Sequence, residues 1–269
     1  MGKLDGQVAF ITGAAHGQGR SHAKYLAHEG AKIVAVDICE QIDEFYPLGT
    51  QEELQETVAE VEAAGSEAIA IKGDVRSSAD MKAAVEGAVE RFGTIDILCN
   101  NAGLIIIEAI DEMSDHTLDV VIDTCLKGVF NTTRFIAPIM KSKRSGKIIN
   151  TSSAGGVRAL PYVSPYAAAK GGVVTATKSW ANELAEWDIN VNAIAPGSIE
   201  THMGTGLAGQ LGIDIEEAQE RFTARHLFKG ERGHIAVDDI SKMVVYLASD
   251  DARMITGQVF LVDAGFATS

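Results

Sequence analysis

The chain alternates two hydrophobic patterns. Short apolar runs occupy residues 8–11, 33–36, 68–71 and 259–262, and residues 95–99, 147–149 and 189–194 are apolar but for Asp96, Lys147, Asn190 and Asn192. Such runs predict strands covered on both faces, as in a parallel sheet. Between them, apolar residues recur every three or four positions: Ala23, Leu26 and Ala27; Leu54, Val58 and Val61; Met81, Ala84, Val85, Ala88 and Phe92; and Ile240, Met243, Val244 and Leu247. This spacing predicts amphipathic helices, the first two stopping at Gly30 and Gly65. Two longer helices are expected, one from about Ser114 to Met140 and one running to about Glu186.

Strand and helix alternate without an internal repeat. The expectation is an α/β fold: one doubly wound, seven-stranded parallel sheet of Rossmann type, with helices on both faces and a single domain over residues 1–269. Two stretches fall outside the alternation. Residues 39–50 hold Phe45, Tyr46, Pro47 and Gly49 with no clear period and read as a long loop, either functional or a tolerated surface insertion. Residues 198–236 read as irregular or short-helical, suited to a lid.

Composition narrows the classes. Apolar residues make up 46% of the chain, enough for a large core. The net charge of −14 gives no electrostatic support for nucleic-acid binding. Cys39, Cys99 and Cys125 are far apart and odd in number, without disulfide or metal-ligand spacing, so free thiols in a reducing, cytoplasmic setting are expected and no metal site is. The first residues lack a signal peptide's apolar core, and no apolar run reaches membrane-spanning length.

Ligands of doubly wound sheets bind beyond the carboxyl ends of the strands. At those ends lie residues 13–19, Asp37, Asp74, residues 100–103, Ser153, Pro196 and Gly197. Residues 12–19 form a T-G-x-x-x-G-x-G loop between the first strand and the first helix. Glycines there let the backbone approach a pyrophosphate, and the helix N-terminus favours its charge. Asp37 closes the second strand, where an acid accepts ribose hydroxyls and repels a 2′-phosphate; NAD is expected over NADP. A solvated or helix-capping acid is the alternative for Asp37. Tyr166 and Lys170 are four apart, on one face of a helix. A phenol with a pKa near ~10 is a poor base at neutral pH, and a cation beside it favours the phenolate. The pair suits proton transfer to or from an alcohol or ketone.

In this order and spacing, the glycine loop, Asn100-Asn101-Ala102-Gly103, Ser153, Tyr166, Lys170 and Pro196-Gly197 resemble the short-chain dehydrogenase/reductase family over nearly the whole chain. The resemblance implies a homotetramer or dimer acting on a small-molecule alcohol or ketone. It implies Tyr166 as general acid/base, Lys170 lowering its pKa and holding the nicotinamide ribose, and Ser153 on the substrate oxygen. It further implies an NAD site of Gly13, His16, Gly17, Gln18, Gly19, Asp37, Ile38, Asp74, Val75, Asn101, Ala102, Gly103, Pro196, Gly197, Ile199 and Thr201. Asp74 and Val75 would flank the adenine, Asn101 would brace the sheet, and Ile199 and Thr201 would meet the carboxamide. The first third, with residues 46–50, is similar to the carveol dehydrogenase-like branch, many of whose members are linked to mycofactocin.

One position departs from the family pattern. Cys125 stands where an Asn usually supports a water chain from the lysine and a local kink in the helix; it could equally be a small core residue. Ile199, Met203, Leu207, Leu211, Ile213, Phe222, Leu227 and Phe228, with Leu104, Ile105, Ile106, Ile107 and Leu160, offer an apolar wall. Such a wall favours a bulky alicyclic alcohol, a terpenoid or hydroxysteroid, unless these residues pack on their own domain. The rival readings are a ketoacyl-type reductase and an NAD-binding module without turnover.

Overall fold

The computed structural model describes residues 2–42, 46–199 and 201–268. Phe45, expected in the 39–50 loop, lies outside them. The elements in order are β1 (Val8–Thr12), α1 (Gly17–His28), β2 (Lys32–Asp37), α2 (Gln51–Ala63), β3 (Ala68–Lys72), α3 (Ser78–Phe92) and β4 (Ile97–Asn100). Then follow α4 (Asp115–Ile122), α5 (Gly128–Lys143), β5 (Gly146–Thr151), the one-turn α6 (Ala154–Val157), α7 (Ser164–Leu184) and β6 (Ile189–Pro196). The chain closes with α8 (His202–Leu211), α9 (Ile215–Thr223), α10 (Val237–Ala248) and β7 (Val259–Val262).

The seven strands form one parallel sheet in the order β3-β2-β1-β4-β5-β6-β7. Strand order reverses between β1 and β4, and there the crossovers leave a crevice at the carboxyl ends. Alternation along β1 divides the core. Ala9 and Ile11 face the layer holding Leu26, Leu54, Val61 and Ile240. Val8 and Phe10 face the layer holding Met81, Val85, Ile136, Met140 and Leu184. Each helix buries one apolar stripe against a largely apolar strand face, which is why apolar residues dominate the runs.

Most strands extend a residue or two beyond the expected runs, and two other differences have a visible cause. β4 begins at Ile97 rather than residue 95, since the Asp96 carboxylate accepts the Val8 N–H at 2.8 Å. The helix expected from about 114 to 140 is two helices, separated by a π turn at Asp123–Lys127. There the Gly128 N–H reaches back five residues to the Asp123 carbonyl. The 39–50 loop ends in a capping box: Thr50 Oγ1 accepts from Glu53 N–H at 3.2 Å, and Thr50 N–H donates to Glu53 Oε2 at 2.9 Å.

Candidate active site

The ends of β1 and β4 are stitched together at the crevice. Thr12 Oγ1 accepts the N–H groups of Asn101 (3.0 Å) and Ala102 (3.1 Å), while Asn101 Nδ2 donates to the carbonyls of Thr12 (3.1 Å) and Gly13 (3.2 Å). The glycine loop is as tight as its sequence requires. Gly13 has φ +67°, and a Cβ on it would sit 2.9 Å from Ala102 Cα. A Cβ on Gly19 would sit 1.9 Å from the Gly13 oxygen, so the first turn of α1 tolerates no side chain there. Asp37, 7% exposed, accepts the Ala15 N–H at 2.9 Å. The carboxylate and the loop thus fix each other.

A cleft follows these strand ends. Gly13, His16, Gly17, Gln18, Asp37, Ile38, Asp74, Val75, Asn101, Ala102, Gly103 and Thr201 all line it. Gly19 acts beneath it, through its contact with Gly13. The 39–50 loop also contributes, with Ile42, Tyr46, Leu48 and Gly49 in the lining. Gln41 braces that loop, donating to the Tyr46 carbonyl at 2.8 Å and accepting from Leu48 N–H at 3.1 Å. Gly49 packs so closely that a Cβ there would be 2.9 Å from Asp37 Oδ1.

Three lining side chains hold a buried polar atom with no partner among the described residues: His16 Nε2, Gln18 Oε1 and Thr124 Oγ1. Burial, then the nearby His202 ring, holds the His16 imidazole below its usual pKa. Side-chain-free backbone, an acid at the second strand end and unspent polar atoms together fit an elongated polar ligand of the dinucleotide kind.

Pro196, Gly197 and Ile199 do not line this cleft. Gly197 N–H is bonded to the Val262 carbonyl, and Ile199 bridges to Ile235 beside a second cavity of about 530 Å³ between α1 and α8–α9.

Ser153, Tyr166 and Lys170 gather in one place, with Lys170 beside Gly103. Ser153 caps α6, an element with too few residues to leave a periodic signal, and its Oγ accepts the Gly155 N–H at 3.0 Å. A Cβ on Gly155 would be 3.4 Å from Ser153 Oγ and 3.9 Å from Tyr166 Cε1, so the two side chains face the same spot. Tyr166 and Lys170 lie one turn apart on α7, and Lys170 Nζ is 5.7 Å from the Tyr166 ring centroid. Lys170 is 3% exposed and donates to the Thr151 carbonyl at 2.7 Å. A Cβ on Gly103 would be 3.3 Å from Lys170 Nζ, so the ammonium lies directly behind the cleft lining at that residue.

Burial is the largest influence on the Tyr166 phenol and pushes it above its ordinary value. Lys170 is itself pushed down by burial.

Cys125 is fully buried in the π turn, and burial pushes its thiol up. Its Sγ accepts from Leu104 N–H at 3.4 Å and donates to the Leu104 carbonyl at 3.1 Å. Asn131 does not stand in for a missing amide; it donates to the Val75 and Arg76 carbonyls at 2.9 and 3.1 Å.

A buried chain behind the site escaped sequence reading. Asn100 Nδ2 donates to Asn150 Oδ1 (2.8 Å) and Thr133 Oγ1 (3.0 Å), and Asn150 Nδ2 donates to Thr177 Oγ1 (2.9 Å). Asn at the ends of two paired strands was the available signal.

Only part of the expected apolar wall faces the site. Met203, Leu207, Leu160 and Ile107 pack against the cluster of Tyr46, Leu104, Ile105, Ile106, Val163 and Tyr166. Leu211, Leu227 and Phe228 are instead 39%, 62% and 47% exposed. Leu227 lies on the backbone of Gly265, and Phe228 stacks with Arg232 at 4.4 Å. Phe222 lines the second cavity. Among the described residues, no cluster of metal-ligating side chains occurs and no helix is long and apolar enough to cross a membrane.

The family model for short chain dehydrogenases matches residues 7–211. The chain belongs to that family. As a short-chain dehydrogenase it is an oxidoreductase. It is 40% identical over 273 residues to (-)-trans-carveol dehydrogenase of Rhodococcus erythropolis, covering 98% of this chain and 99% of that one. A 3-oxoacyl-[acyl-carrier-protein] reductase of Thermotoga maritima is 37% identical over 263 residues, covering 98% of each. Among solved structures, carveol dehydrogenase from Mycobacterium avium in complex with NAD superposes with a TM-score of 0.94 at 35% identity, covering both chains completely.

Proposed function

We propose that this short-chain dehydrogenase is NAD-dependent and interconverts a secondary alcohol and its ketone, on a bulky, mostly apolar alicyclic substrate of the terpenoid or hydroxysteroid kind. The observation that carries the reading is the gathering of Ser153, Tyr166 and Lys170 against an apolar cluster, with Lys170 beside Gly103 of the dinucleotide cleft. Similarity to a carveol dehydrogenase and to an NAD-bound one supports both parts.

Gly13, Gly17 and Gly19 keep the loop backbone bare for a pyrophosphate, with His16 and Gln18 beside it. Asp37 takes the adenosine ribose, Asp74 and Val75 border the adenine, and Lys170 reaches the second ribose. Hydride transfer from the carbinol carbon is the chemistry that bound NAD supplies. The chain's own part is the proton. Tyr166 as phenolate removes it from the substrate hydroxyl, Ser153 holds that oxygen, and Lys170, 5.7 Å from the Tyr166 ring centroid, supplies positive charge one turn away when it is protonated. In ketone reduction Tyr166 returns the proton.

Residues 198–236 act as the lid and 39–50 as a cover on the cofactor side. Self-association into a dimer or tetramer is supported by exposed apolar side chains such as Leu118 and Phe130, and a cytoplasmic setting by three free thiols. Ketoacyl reduction is the second reading, favoured by the Thermotoga maritima relative. Asp37 disfavours it insofar as that chemistry runs on a 2′-phosphorylated cofactor.

The test is a panel of terpenoid, steroid and simple cyclic alcohols, and one ketoacyl thioester, each with NAD and with NADP. NADH formation from an alicyclic alcohol is expected. Turnover of the thioester alone would replace the reading with the second one.

A further inference from the structure

The 39–50 loop does more than border the cofactor cleft. Tyr46 leaves it and enters the cluster around the catalytic phenol, where it is 8% exposed and packs with Leu104, Ile105, Val163 and Tyr166. Its hydroxyl accepts the Ile105 N–H at 3.3 Å, which pins the far end of the ring. The near end is pinned by α8. A Cβ on Gly206 would sit 2.4 Å from Tyr46 Cβ and Cγ and 2.6 Å from Cδ1. Those are the inner atoms of the side chain, which cannot swing aside as a flexible tip can.

α8 is held against the same segment by Gln210, which accepts from Ile107 N–H at 2.8 Å and donates to the Ile105 carbonyl at 3.3 Å. Three stretches distant in sequence are thus clamped around one aromatic ring. Tyr46 and Tyr166 belong to the same buried apolar cluster.

We propose that Tyr46 is a specificity-determining residue: its ring, admitted by Gly206, is a wall of the substrate pocket and limits the size of alicyclic alcohol that reaches Tyr166. The inference rests on the alcohol reading above. A planar ring fixed at both ends is a rigid boundary, whereas an aliphatic side chain there would yield to a larger substrate. No side chain at 206 is compatible with the observed ring position.

The test measures kcat/KM of the full-length enzyme with NAD for cyclohexanol and for the fused bicyclic 2-decalol, and the Kd for NAD. Tyr46→Ala is expected to raise the decalol-to-cyclohexanol ratio by about tenfold or more at saturating NAD, with the NAD Kd itself weakened because Tyr46 also lines the cofactor cleft. Tyr46→Phe keeps the ring and is expected to keep the ratio. Gly206→Ala is expected to lower kcat/KM for both alcohols, and adding Tyr46→Ala to it is expected to relieve that loss. If Tyr46→Ala does not fold, Tyr46→Val replaces it with the same expected ordering.

An unchanged ratio in an active Tyr46→Ala enzyme overturns the inference and leaves the alcohol reading intact. With a weakened NAD Kd, that outcome makes Tyr46 a cofactor cover only. A ratio shifted equally by Tyr46→Phe also overturns it, since the hydroxyl and not the ring would then be responsible. A wild type that oxidises neither alcohol sinks the alcohol reading and this inference with it.

Discussion

On the cofactor side of the cleft the chain presents backbone: glycine N–H groups, strand-end carbonyls and one acid locked to the loop by its bond to Ala15. On the substrate side it presents side chains from three stretches far apart in sequence, the 39–50 loop, the segment after β4 and α8. The first surface inherits most of its geometry from the sheet, because Gly13, Asp37 and residues 101–103 lie at the ends of strands whose register is fixed by their neighbours. The second has no such template. It holds its shape through contacts such as Tyr46 on Gly206 and Gln210 on Ile105. A sheet-borne surface suits a ligand that is the same in every turnover. A surface of mutually braced side chains can be retailored by single substitutions without disturbing the other.

Tyr166 lies on the seam and gives the strongest way to separate the halves. Tyr166→Phe should lower turnover by ~10²-fold or more while leaving NAD affinity nearly unchanged. Steady-state kinetics and a binding isotherm together check this, and near-normal turnover would remove Tyr166 from the chemistry. Because burial raises the phenol, alcohol oxidation by the wild type should climb with pH through the alkaline range. Oxidation needs the phenolate and ketone reduction the phenol, so reduction should decline over the same range.

Asp37→Ala probes the cofactor half alone. Loss of a charged acceptor for the ribose should weaken NAD by ~10- to 100-fold and narrow the gap to NADP. The alcohol preference should stay as it was. A substrate ranking that changed with Asp37 would show that the halves are not independent.

Cys125→Asn should have the smallest effect. An amide can keep both bonds to Leu104, yet it is larger and more polar than the thiol in a fully buried site. Stability should fall by ~1–3 kcal/mol, read by thermal unfolding, with turnover within about threefold. A rise in turnover of about tenfold would instead mean that the thiol limits proton movement.

The same contrast decides what could be read in advance. All seven strands, the glycine loop, Asp37 and the pairing of Tyr166 with Lys170 follow from apolar period and local turn chemistry. Ser153 was legible from its place at the end of β5. Leu227 and Phe228 were misassigned to the wall, since an apolar residue in an irregular segment carries no period to say which way it turns. Tyr46 was legible as an aromatic in a loop but not as a neighbour of Tyr166. Nothing local encodes a contact made across the sheet edge. The burial acting on the phenol was not legible for the same reason: spacing reveals a cation one turn away but not how dry both groups are.

The π turn at Asp123–Lys127 sets the phase of the two helices it joins. Its five-residue bond makes the turn wide enough to absorb one residue that a regular helix would convert into rotation. Closing it into a regular α turn with every residue kept would rotate α5 against α4 by ~100°. That rotation would carry Asn131 off the Val75 and Arg76 carbonyls and Gly128 away from Val75, where a Cβ would now come within 2.7 Å. Thr124 would leave the cleft and Cys125 would leave Leu104 in the same movement. The segment works as a vernier: the wide turn takes up one residue so that both helices keep their contacts.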